Sequence, residues 1–183
     1  MQGISIVLPD RKEERGVEMI LLIECVVCCV LFTAFVMRAI YKDPISLIKS
    51  YPPAIIKRVE ELPQYKDTIK SREKKHAYQK LIAVFVFVIV LATLAYFSGC
   101  RTFWTTFGHV FMLFFVVNMY DFLVLDWGHF CHSKRVRIPG TEDMIKEYQN
   151  PWFHFFGACK GTVLGVIVAL MAGGLIQLVL TFR

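Results

Sequence analysis

Residues 157–174 read GACKGTVLGVIVALMAGG, and here Gly157, Gly161, Gly165, Ala169 and Gly173 recur at every fourth position. Four residues is close to one helical turn, so these five positions share one face of a helix. Apart from Lys160 and Thr162, the rest of the stretch is apolar. Inside a bilayer the surroundings are as apolar as leucine, so helices associate through close van der Waals contact, which small residues permit. The stripe therefore predicts a tight helix–helix contact. Its partner is either another helix of this chain or the same helix in a second copy, a homo-oligomer.

Reading outward, three further apolar runs appear. Residues 19–37 hold one charge, Glu24; residues 81–98 hold none; residues 103–125 hold His109 and Asp121; and residues 161–182 hold no charge. Each approaches the ~20 residues needed to cross ~30 Å of hydrocarbon. With 56% hydrophobic residues in a chain of 183, a soluble fold could not hide the apolar surface. The expected fold class is an all-α polytopic integral membrane protein with four transmembrane helices, at about 18–41, 80–98, 102–126 and 157–182. Cytoplasmic loops 42–79 and 127–156 carry short amphipathic helices, and residues 1–16 form an extracytoplasmic tail. The first run is too long for the apolar region of a signal peptide and is read as a helix.

Charge sets the expected orientation. Residues 38–80 and 128–160 together hold 16 of the 21 lysines and arginines. The positive-inside rule places both loops in the cytoplasm and both termini outside, in a multi-pass protein of the cell membrane. The formal net charge of +6 then reads as attraction to anionic inner-leaflet lipids. Nucleic acid is not expected as a partner, because no nucleic-acid motif accompanies the charge. The six cysteines form no disulfide framework, since Cys25, Cys28 and Cys29 fall within the first span and Cys131 and Cys159 on the reducing side.

Local signals place the loops. Asp43-Pro44 and Asn150-Pro151 each pair an N-cap residue with proline at the first helical position. Pro52 and Pro53 break the chain between helices. Ile55, Ile56, Val59 and Leu62 then recur at helical spacing, which predicts an amphipathic helix lying on the inner membrane surface, the alternative being a solvated linker helix that touches only its own loop. Gly99, Cys100 and Arg101 make the tight outer turn between the second and third spans. Pro139-Gly140 predicts a type II turn, with Thr141 capping a short helix that begins with Glu142 and Asp143.

The stretch NMYDFLVLDWGHFCH, residues 118–132, carries the most chemistry. At ~100° per residue an α-helix puts Asn118, Asp121, Leu125, His129 and His132 on one face. His154 falls at the same level in the last helix. An ionisable group such as Asp121 is costly inside the bilayer unless it faces protein or water. The expected catalytic set is Asp121, His129, His132 and His154, with Asn118 orienting a substrate and Lys160 or Arg135 available for an anionic group. The same four residues could ligate a divalent metal such as zinc, manganese or iron, or exchange protons without one. Asp126 points to another sector at this spacing and is expected to pair with Arg135 or Arg137.

Near the outer face Glu24 and His109 share a depth, and Gln177 lies about as deep. Glu24 either pairs with His109 or snorkels to the outer surface. Three functions follow: a membrane-embedded site that binds or transforms a lipid-soluble or small substrate; a subunit of a proton or ion pathway through Glu24, His109, Gln177, Asn118 and Asp121; and a non-catalytic oligomerising partner.

Overall fold

The computed structural model describes the backbone of residues 11–43, 45 and 47–182, with side chains for all of these except 11–15, 67–68 and 70–81. The regular structure among the described residues is all helical. Helix α1 (Arg11–Lys42) leads through a 3-10 turn at Ile48–Ser50 into α2 (Pro53–Glu61) and α3 (Pro63–Phe97). Helix α4 (Phe103–Tyr120) runs on into a π-helical segment, Asp121–Phe130. A second 3-10 turn (Lys134–Val136) and the short α5 (Ile145–Tyr148) precede α6 (Pro151–Thr181).

Three stretches are long and apolar enough to cross a membrane: Gly16–Lys42, Phe103–Phe130 and Ile145–Thr181. Ile82–Phe97 is a shorter apolar helix. The outward surfaces of these helices are apolar as well, with Leu22, Val26, Val30 and Phe35 of α1 and Phe85 and Ile89 of α3 exposed. Such a surface suits lipid, because in water so large a contiguous apolar patch would be a liability.

Elementary caps set the ends. Pro53, Pro63 and Pro151 stand at the starts of α2, α3 and α6, where a missing N–H costs nothing. Thr102 and Thr105 form a reciprocal capping box at the start of α4. The side chain of Asn150 accepts from Trp152 N–H at 3.1 Å. Gly99 and Gly140 have φ of +94° and +92°, a conformation that side chains disfavour, and both sit in turns. Asp43 Oδ1 accepts from Ile45 N–H at 3.0 Å. Pro44, expected to start a helix there, lies outside the described residues, as do residues 1–10 of the expected tail.

Three expectations for the polar segments need correction. Arg11–Gly16 is helical and belongs to α1, since its Arg, Lys and Glu residues are good helix formers. Helix α2 does not present its apolar face outward: Ile55 and Val59 are fully buried, packed with Tyr51, Val136, Ile138 and Tyr148 into a second core. Protein covers the face that was expected to lie on the membrane. Thr141 does not cap a helix either. Its hydroxyl donates to Ile138 O at 2.7 Å within the turn at Pro139-Gly140, and α5 begins only at Ile145.

Helix α4 is central, with its most extensive interface on α6 and further contacts to α1 and α3. The small-residue stripe explains why α6 approaches so closely. A side chain at Gly165 would meet the Phe114 ring at 2.6 Å, and one at Gly173 would meet Phe103 O at 2.9 Å. One at Gly161 would collide with the Asn118 amide. Ala169 is fully buried between them. Gly157 departs from this pattern: it is exposed, with open space around it, while the buried His154 and Ala158 beside it carry the contact to Asp126 and Asn118.

Candidate functional site

The π-helical segment decides which side chains meet. A π-helix bonds each N–H to the carbonyl five residues back, one later than an α-helix, so residues five apart come to share a face. Cys131 N–H accordingly donates to Asp126 O at 3.0 Å. The wider turn brings Asp126 onto the face that carries Asp121, Leu125 and His129, while Asn118 and His132, the ends of the stripe drawn at α-helical spacing, fall away from it.

A cavity of about 200 Å³ lies between this segment and α1. From α1 it is lined by Phe32, Phe35, Val36, Met37 and Ile40. The opposite wall carries Asp121, Leu125, Asp126, His129 and Phe130, with Leu47, Ser50 and Tyr51 at one end. One side is therefore hydrocarbon and the other holds two carboxyl groups and an imidazole.

Asp126 is held from behind. Its Oδ2 lies 3.1 Å from His154 Nδ1, projecting from the first turn of α6. The His154 side chain is 2% exposed, and its Nε2 is buried with no hydrogen-bond partner. The Phe130 and Phe153 rings clasp the imidazole, with centroids at 5.2 and 5.3 Å, and the buried Cys131 thiol is another polar neighbour. The pair braces Asp126 from behind the wall, and His154 itself is not among the described lining residues.

The expected site is thus rebuilt rather than reproduced. Asp121 and His129 line the cavity, and His129 Nε2 is hydrogen-bonded to Tyr41 OH at 3.2 Å. His132 turns away, donating from Nδ1 to Trp127 O at 2.9 Å with its side chain exposed. Asn118, expected to orient a substrate, is not among the described lining residues; its amide donates to Ala158 O at 2.9 Å and to Thr162 Oγ1 at 3.1 Å, clamping α4 to α6. Arg135 and Lys160 are exposed and take no part in the lining. Asp126, expected to pair with Arg135 or Arg137, pairs with His154 instead.

The metal reading fails on the same geometry. His129, His132 and His154 go to separate partners, and among the described residues no group of three or more His, Cys, Asp or Glu side chains is arranged to hold a metal ion. Tyr41, Tyr51 and Asp126 are the polar residues that spacing on an α-helix misses. The five-residue interval from Asp121 to Asp126 was the available signal, meaningful only once a π-helix is known.

The expected second polar group lies at the other end of the bundle as a separate cluster. His109 Nε2 donates to Glu24 Oε2 at 2.6 Å, and Ser98 O–H donates to Glu24 Oε1 at 2.6 Å. One carboxylate so ties α1 to α4 and to the end of α3. Gln177 is exposed and does not join them. The twelve residues from His109 to Asp121 separate the two polar groups by ~18 Å of helix. Buried Val110 and Leu113 fill the interval.

No protein-family model, curated protein or solved structure matches this chain.

Proposed function

We propose that this chain is a multi-pass membrane protein that takes a lipid-soluble amphiphile into the cavity between α1 and the π-helical segment and acts on it by carboxylate–imidazole acid–base chemistry. In this reading the chain crosses the bilayer four times, with α3 supplying the second span and both termini outside. The loops rest against anionic inner-leaflet lipid through exposed Lys57, Arg58, Lys134, Arg135 and Lys146.

The observation that carries the proposal is the composition of the cavity wall: five apolar residues of α1 opposite Asp121, Asp126 and His129. Phe35 is 66% exposed on the outer surface of α1 while also lining the cavity, so its position suits entry from the acyl chains. Asp126, held by His154, and His129 would serve as proton acceptor or donor, and Asp121 would hold the head of the bound molecule. A proton path from Glu24 to Asp121 is not favoured, because the apolar layer at Val110 and Leu113 lies between them. Assembly through the stripe is not favoured either, since Gly165, Ala169 and Gly173 are already occupied by packing within the chain.

The test is photo-crosslinking in native membranes. A benzophenone amino acid replaces Phe35, and a control replaces Phe97, which is 79% exposed near the outer turn. The proposal expects a discrete lipid-soluble adduct at position 35 that is absent at position 97 and lost in Asp121→Asn. The same bulk phospholipids at both positions would overturn it.

A further inference from the structure

The charges around the cavity restrict what kind of head group it can accept. The chain is basic overall, and the polar segments on this side of the fold hold most of its lysines and arginines. Yet among the described residues the cavity lining contains neither, although Arg38 and Lys42 sit beside it in sequence on α1. Both of those side chains are exposed. The lining's charged groups are Asp121 and Asp126, with His129 as the one further titratable group besides Tyr51. The cavity is an acidic recess within basic surroundings.

An anionic head, phosphate or carboxylate, needs cationic or multiple N–H donors, and this wall supplies carboxylates instead. A phosphate-bearing zwitterion meets the same obstacle at its phosphate. A neutral hydroxyl offers the two neighbouring carboxyl groups no opposite charge. An ammonium answers each point. Asp126 already shares its charge with His154, whereas Asp121 has no hydrogen-bond or ion-pair partner among the described residues. The rings of Phe32, Phe35, Phe130 and Tyr51 add faces of the kind that attract cations.

Resting on the amphiphile-site reading above, we propose that the substrate or ligand is a phosphate-free long-chain amine, its ammonium against Asp121 and its chain along the apolar face of α1. Full-length wild-type protein in phosphatidylcholine nanodiscs is offered photoactivatable, alkyne-tagged hexadecylamine, hexadecanol or hexadecanoic acid at equal concentration. A tagged phosphatidylethanolamine makes a fourth arm. Labelling is read on the peptides that contain residues 32–40 and 121–130.

The amine is expected to label these peptides about ten-fold above the alcohol, the size of one charge-assisted contact, with the acid and the phospholipid below the alcohol. Asp121→Asn is expected to erase the amine's advantage while alcohol labelling persists, which also reports that the variant is folded. Equal labelling by amine and alcohol, or stronger labelling by the acid or the phospholipid, would overturn the amine assignment and leave the amphiphile site standing. Labelling of the cavity peptides by none of the four would overturn both. The head-group comparison uses only wild-type protein, so it decides the matter even if Asp121→Asn fails to fold.

Discussion

His154 Nδ1 stands 3.1 Å from Asp126 Oδ2, joining the first turn of α6 to the π-helical extension of α4. This contact places a buried imidazole directly behind one wall of the cavity. Removing either partner leaves the other desolvated without its bond, whereas removing both leaves nothing to satisfy. Asp126→Ala and His154→Ala are each expected to destabilise the protein by about 1–3 kcal/mol, and the double variant by less than their sum. A double-mutant cycle of unfolding in mild detergent measures this. Strict additivity would mean that the two groups do not interact.

The stripe yields a contrast between two glycines. Gly165→Leu drives a side chain into the Phe114 ring and is expected to cost about 1–3 kcal/mol by overpacking, or to prevent folding. Gly157→Leu enters open space and is expected to change stability by less than about 0.5 kcal/mol. Thermal denaturation of the two variants in the same detergent separates the positions. Equal effects would mean that Gly165 is not pressed against α4.

At the end of the bundle away from the cavity, Glu24 holds three helices together through His109 and Ser98. Ser98→Ala removes one neutral donor and is expected to cost about 0.6 kcal/mol, the average for hydrogen bonds between membrane helices. His109→Ala removes the other donor from a carboxylate in apolar surroundings and should cost about 1.5–3 kcal/mol. Unfolding free energies that reverse this order would show Ser98 to be the more important partner of Glu24.

Tyr51 links the cavity to the second core, its hydroxyl donating to Val136 O at 2.9 Å. Burial, aided by neighbouring Tyr148, pushes its phenol well above the ordinary value of about 10. The unfolded chain therefore releases this proton at lower pH than the folded one. The stabilisation is fully present below about pH 10 and is lost as pH rises further. In an ultraviolet titration Tyr51 should ionise after the exposed tyrosines, and Tyr51→Phe should diminish that late phase, which buried Tyr148 shares, and cost about 1 kcal/mol. A titration unaltered by the substitution would place Tyr51 in water.

Much of the architecture was legible residue by residue. The apolar runs, the Asn150-Pro151 start of α6, the Pro139-Gly140 turn and the shared depth of Glu24 and His109 all follow from short-range rules: run length, capping chemistry, φ preference and rise per residue. Each depends on residues close in sequence or on one known geometrical step. Helix α2 misled because amphipathicity specifies an apolar face without specifying what covers it. Here Val136, Ile138 and Tyr148, distant in sequence, occupy the place expected for lipid.

The cavity was half legible for a different reason. Asp121, His129 and His154 announce themselves as ionisable groups in or beside apolar helices, where each needs a partner. Which partner each takes depends on the helical period, and after Tyr120 that period changes from α to π.

By itself the sequence determined an all-helical chain with long apolar stretches and one side-chain-free line on α6, because hydrophobicity and steric bulk belong to individual residues. Tertiary structure alone decided that α4 fills that line, that Asp126 rather than Asp121 meets His154, and that the cavity wall, among the described residues, carries carboxyl groups and no lysine or arginine. Those outcomes depend on how backbone winding and close packing orient groups far apart in the chain, which no local spacing encodes.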